Sequence, residues 1–152
     1  MILGESNTIR NGRANIALGA NNIADGNFNI LGGKENETVT GNTNFLAGEK
    51  NKVLSGNSNI VLGFNNTASG NYNHLSGNNN TNVAGSSNIL NGQNNIINSG
   101  SSNALFGFNN SASANYAAAI GNGNTVQNES AIAFGNNNKD SGWASIAGGF
   151  EN

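Results

Sequence analysis

The stretch Gly56–Ser69, GNSNIVLGFNNTAS, decides the fold, because the chain repeats it in outline from end to end. Its inner glycine, Gly63, belongs to a column that recurs every fourteen or fifteen residues: Gly4, Gly19, Gly33, Gly48, Gly63, Gly77, Gly92, Gly107, Gly121, Gly135 and Gly149. An asparagine follows each of them three residues later, from Asn7, Asn22 and Asn36 through to Asn138 and Asn152. A period this strict means one small structural unit stacked about eleven times. The leading glycine, Gly56, belongs to a second column (Gly12, Gly26, Gly41, Gly70, Gly85, Gly100, Gly142) that Ala114 and Asn128 interrupt.

The residue types dictate the unit. Glycine reaches backbone angles at tight corners that other residues reach only with strain, and asparagine is the next best choice. Stacked in register, asparagine also forms a side-chain ladder from coil to coil. Between corners lie apolar triplets such as Ile16-Ala17-Leu18, Ile60-Val61-Leu62 and Ile132-Ala133-Phe134, and weaker stretches such as Thr8-Ile9-Arg10 and Thr125-Val126-Gln127. Three or four such residues between glycine and asparagine make a strand rather than a helix. Each unit is therefore two short strands and two turns. Stacked in parallel, eleven units form an all-β solenoid roughly 50 Å long.

Composition removes other classes. The chain has 152 residues, 22 glycines, no proline and no cysteine, and only 36% of its residues are hydrophobic. Such a composition is common in disordered chains, but disorder gives no reason for glycine at fixed spacing. Without proline, collagen and polyproline readings fail. Without cysteine, there are neither disulfides nor thiolate metal sites. The net charge of −2 and the scattered Lys and Arg give no basic stripe for nucleic acid. No apolar run is long enough to cross a bilayer, so direct membrane insertion is not expected. Starting and finishing inside a repeat, the chain reads as a piece of a longer array.

Alternation along the first strand carries a hint of assembly. Ile2, Leu31, Leu46, Val61, Leu75, Leu90 and Leu105 share one face, and Ile16, Ile30, Phe45, Ile60, Ile89 and Ile132 share the other. A strand apolar on both faces needs a covering layer on each, and a fourteen-residue coil has one interior. The second stripe is expected to pack against copies of the same chain; the alternative is a flattened coil that hides both faces. Leu31, Leu46, Val61, Leu75, Leu90 and Leu105 are thus expected to line either the core or the interface between chains.

The pattern Asn/Ser-x-hydrophobic-Ala/Leu-hydrophobic-Gly-x-x-Asn/Ser resembles the head repeat of YadA-like trimeric autotransporter adhesins. It is nearest in SAIAFGNNN at Ser130–Asn138 and ASIAGGFEN at Ala144–Asn152. The resemblance implies a left-handed parallel β-roll, three chains side by side in a parallel homotrimer, and a single head domain over 1–152. It also implies a bacterial cell-surface location, anchored in the outer membrane through regions outside these residues, and adhesion to host matrix proteins, host receptors or neighbouring cells. The sequence carries no neck, stalk or membrane barrel, and asparagine largely replaces the serine of that family's columns.

A longer period lies over the short one. Phe28, Tyr72 and Tyr116 stand 44 residues apart in one column, and Phe64 and Phe108 stand 44 apart in another. The blocks 12–55, 56–99 and 100–141 are therefore three-coil repeats. These five aromatics are candidate ligand contacts, since exposed aromatics anchor interfaces; duplication of a block with packing aromatics explains them equally. Trp143 stands outside the pattern. His74 is the lone histidine and sits in a triplet, so a core or interface role is expected, with an ion held by a ring of three as the alternative. The acids fall in different columns, and the aspartate per turn of calcium-binding solenoids is missing. No enzyme, cofactor or metal site is expected. Besides adhesion, two functions share the fold: a non-adhesive fibre spacer, and an ice-binding solenoid whose Asn and Thr ladders order water. No column is consistently Thr-x-Thr.

Overall fold

The computed structural model describes residues 1–152 as one parallel β-solenoid. Two sheets run its length. The broad sheet has eleven strands: Ile2–Glu5, Ile16–Ala20, Ile30–Lys34, Phe45–Glu49, Ile60–Phe64, His74–Asn78, Ile89–Gln93, Ala104–Phe108, Ala118–Asn122, Ile132–Asn136 and Ile146–Phe150. The narrow sheet has ten, from Thr8–Asn11 and Ile23–Asp25 to Thr125–Val126 and Lys139–Asp140. Each chain segment alternates between the two sheets, so every strand pairs in parallel with the strand one coil away. The apolar triplets make the broad sheet and the stretches after the asparagines make the narrow one.

The register is that of the glycine column: Gly63 pairs with Gly48 on one side and Gly77 on the other. Gly63 has φ 109°, and a Cβ there would collide with the carbonyl oxygen of Gly77. Glycine is needed both for its backbone angle and for the close approach of the next coil. Corner positions two residues later take φ near +55° and are mostly asparagine, as at Asn65, Asn79, Asn94 and Asn109.

One column from each sheet points inward. Leu31, Leu46, Val61, Leu75, Leu90 and Leu105 are wholly buried in the broad sheet and face Ala24, Val53, Ala68, Ile97, Ala112 and Val126 from the narrow one. The six residues expected at either core or interface are therefore core. The residues on either side of them in each strand, such as Ile60 and Leu62 around Val61, point outward.

Both corners are closed by buried asparagine ladders. Asn80 shows the unit: its Nδ2 donates to Ser76 O (2.9 Å), Gly92 O (2.9 Å) and Asn66 Oδ1 (3.1 Å). Its Oδ1 accepts from the backbone N and Nδ2 of Asn95. This ladder follows the invariant asparagine column. A second ladder, Asn15, Asn29, Asn44, Asn59, Asn73, Asn88 and Asn103, closes the opposite corner and gives way to Ala117 and Ala131. In a coil this small the corners reach the interior, so the asparagine amides satisfy backbone groups that water cannot reach.

Candidate functional site: the outer faces of the roll

Phe28, Tyr72 and Tyr116 all occupy a corner before the broad strand, at φ 57°, 58° and 56°. They are highly exposed and lie three coils, about 14 Å, apart, so they form no shared cluster. Bulky side chains at positive φ are strained. Tyr72→Asn is expected to raise stability by about 0.5–1 kcal/mol, since among residues with a Cβ asparagine adopts this angle at low cost; a lower denaturation midpoint for the variant would refute this. Phe64 and Phe108 lie elsewhere, at the ends of broad strands, where the Lys50 ammonium sits 5.7 Å from the Phe64 ring. The five candidate aromatics thus fall on two separate edges, and no pocket joins them. Trp143 is exposed near the last coil, and His74 points outward from the broad sheet.

The narrow sheet's outer face divides by charge. Its first coils carry Arg10, Asp25, Glu37 and Lys52, with Lys52 bound to Glu37 at 2.7 Å and Arg10 to Glu37 at 3.6 Å. A neighbouring corner holds Lys34, whose hydrogen bond to Glu35 and the charges of Glu35 and Glu49 keep its ammonium above the usual lysine range. From the next coil the charges stop. Thr67, Thr81, Ile96, Ser111 and Thr125 pair directly, coil upon coil, in one outward column. A second outward column, two residues on, runs Ser69, Val83, Asn98, Ser113 and Gln127.

This five-coil patch is regular and tied down. The backbone ladder continues past the strand ends, from Val83 N to Ile97 O, Asn98 N to Ala112 O and Ser113 N to Val126 O. Asn98 Nδ2 also bridges Ser111 Oγ and Ser113 Oγ at 3.3 and 3.2 Å. Small side chains, mostly hydroxyls and methyls, stand on a grid of about 4.8 Å along the rod and about 6.6 Å along the strand. The columns were visible in the sequence only when read in steps of one coil; read as single stretches, these strands look weak.

The family comparison bears on this surface. The profile described as grass antifreeze beta roll matches residues 2–72 and again 61–152. The chain belongs to the grass antifreeze beta roll family. Among curated proteins none matches the sequence. One solved structure of similar outline is LpxA, a UDP-N-acetylglucosamine acyltransferase from Bacteroides fragilis 9343. It is 13% identical with a TM-score of 0.42 over 96% of this chain, and the chain spans 64% of that one, so no functional weight rests on it.

The family corrects the resemblance to YadA-like adhesin heads. The expectations that hung on it fall as well: bacterial adhesion, an autotransporter, and anchorage in the outer membrane. The physical reason is plain in the fold. The residues that carried the resemblance are corner glycines, buried asparagines and apolar triplets, which serve the corners and the strands of the roll itself. They report the fold. What distinguishes one roll from another stands in the outward columns.

Proposed function

We propose that this chain is a non-catalytic, ice-binding β-solenoid that meets ice through the charge-free part of its narrow sheet, between Thr67 and Gln127. The observation that carries the reading is the in-register column Thr67, Thr81, Ile96, Ser111 and Thr125, on a chain of the grass antifreeze beta roll family. Ice presents oxygen atoms on a regular grid of similar scale. A surface that holds hydroxyls and methyls on such a grid orders the adjacent water without reorganising itself. The methyls of threonine, isoleucine and valine cage water, and the hydroxyls anchor it. Because the backbone ladder fixes the spacing of the grid beforehand, little conformational entropy is lost on binding. Charged groups hold their own hydration shells, and the patch begins where they stop.

The left-handed winding and the parallel homotrimer belong to this reading. Narrow and broad sheets lie on opposite sides of each roll, so three copies joined through their broad sheets would present three narrow sheets outward and add avidity.

The test is partition into ice. The purified chain is frozen slowly onto a cold finger, and grain growth is followed in an annealed ice film. Enrichment in the ice fraction together with arrested grain growth is expected. Protein left in the liquid, with grains coarsening as in buffer, would overturn the reading.

A further inference from the structure

The outer face of the broad sheet is largely apolar, broken by His74, Ser76 and Asn91, and nothing in the chain covers it. Phe45, Ile60, Ile89, Phe106, Ile120 and Phe134 are each 40–48% exposed. The face has two outward columns, three residues and one residue before the invariant glycine, and neither contains a charged residue in any coil. The two columns run about 48 Å along the rod and span three residues of each strand, about 10 Å, or roughly 500 Å² in projection, at the upper end of the apolar patch a monomer leaves exposed. The face is also rough: side chains from glycine to phenylalanine alternate in one column. A rough face does not match a crystal plane but interlocks with a second rough face.

The roughness has a pattern. In several coils a large residue in one column stands beside a small one in the other, as Phe45 beside Ala47, Ile30 beside Gly32 and Ala104 beside Phe106, whereas Ile60 with Leu62 and Ile132 with Phe134 are large in both. Packing within the chain does not require this. Gly32 has no left-handed backbone angle, and a Cβ placed on it meets nothing within 4 Å. Glycine inside a strand weakens it and marks a place where another chain comes close. Gly148 differs, because the ring of Phe134 already lies over it.

We infer that this face is where copies of the chain meet, parallel and in register, with the first column of one copy packed against the second column of its neighbour. Ile30 of one copy then fills the notch at Gly32 of the next, Phe45 faces Ala47, and Ala104 faces Phe106. The same register sets His74 opposite Ser76, polar against polar, whereas a shift of one coil sets His74 against Leu62 in one direction and Asn91 in the other. The inference rests on the side-by-side assembly through broad sheets proposed above and adds its register.

The test uses light scattering after size exclusion over a dilution series. The parent is expected to run at about three times its 15.5 kDa chain mass. Gly32→Leu, which has room in the isolated roll, is expected to run as a single chain with its far-ultraviolet circular dichroism retained. A parent that is monomeric at every concentration, or a Gly32→Leu chain of unchanged mass, would overturn the inference. Register is read by cross-linking, since the chain has no cysteine of its own. Phe45→Cys and Ala47→Cys chains, refolded together and oxidised, are expected to join. Joining of Phe45→Cys to Ala104→Cys instead would mean antiparallel copies and overturn the register. Ice partition of the monomeric Gly32→Leu chain separates the two readings: retained partition leaves the ice face standing whether or not the copies assemble.

Discussion

Asn80→Ala is expected to destabilise the roll by about 4 kcal/mol, far more than a surface substitution. The side chain lies in the middle of the ladder and is wholly buried. Removing it strips the Nδ2 donor from Ser76 O and Gly92 O, and removes the acceptor for the backbone N and Nδ2 of Asn95. The two bonds from Asn95 are fully buried and those to Ser76 O and Gly92 O partly so, and each buried group left without a partner costs about 1–3 kcal/mol. The loss also spreads, because a solenoid coil is held mainly by its two neighbours. Asn98→Ala is the control. Asn98 bridges two serine hydroxyls on the exposed face, where water replaces the lost bonds, so its change stays within about 0.5 kcal/mol. Urea denaturation of both variants decides the matter. An Asn80→Ala midpoint close to the parent would mean that the ladder fills space without holding the coils together.

The same asparagines show why the fold was legible in the sequence and the function was not. Gly63 and Asn66 have one chemical solution each: a backbone angle closed to other residues, and an amide that serves two coils at once. Positions so constrained recur without exception, and the period, the strand pair and the parallel stack followed from them. The alternation of two apolar columns followed as well, since Leu75 and its relatives alternate with residues of the opposite face. Which of two apolar columns was interior was not legible, because Ile60 and Val61 are equally apolar and only the direction in which the coil curls separates them. The outward columns carry no such constraint. Thr81 could be lysine without harm to the coil, as Lys52 and Lys139 in the same column demonstrate. A functional column of this kind is seen only once register is known, and the aromatic columns drew attention first because aromatic residues are rare here. The structure places those aromatics on two separate edges and leaves the charge-free column from Thr67 to Thr125 continuous.

That tolerance makes the ice face testable without disturbing the fold. The double variant Thr81→Lys, Ser111→Lys is expected to keep its denaturation midpoint within about 1 kcal/mol of the parent, and to lose at least about ten-fold in ice affinity, a change of about 1.4 kcal/mol in binding free energy. The two ammonium groups would stand in the column that Thr67, Ile96 and Thr125 share. Each holds its own hydration shell and rises above the grid, so the lattice is interrupted on both sides of its centre. Tyr72→Lys adds a charge at a corner and is expected to leave ice affinity unchanged. The converse experiment is sharper. Glu37 and Lys52 pair with each other immediately before the patch, partly exposed, where such a bridge contributes little. Glu37→Thr with Lys52→Thr would extend the hydroxyl column from Thr67 by two coils toward Ile23. If binding grows with the number of matched sites, the longer face is expected to bind ice more tightly than the parent. Unchanged affinity in both the shortened and the lengthened columns would move the ice contact off the narrow sheet altogether.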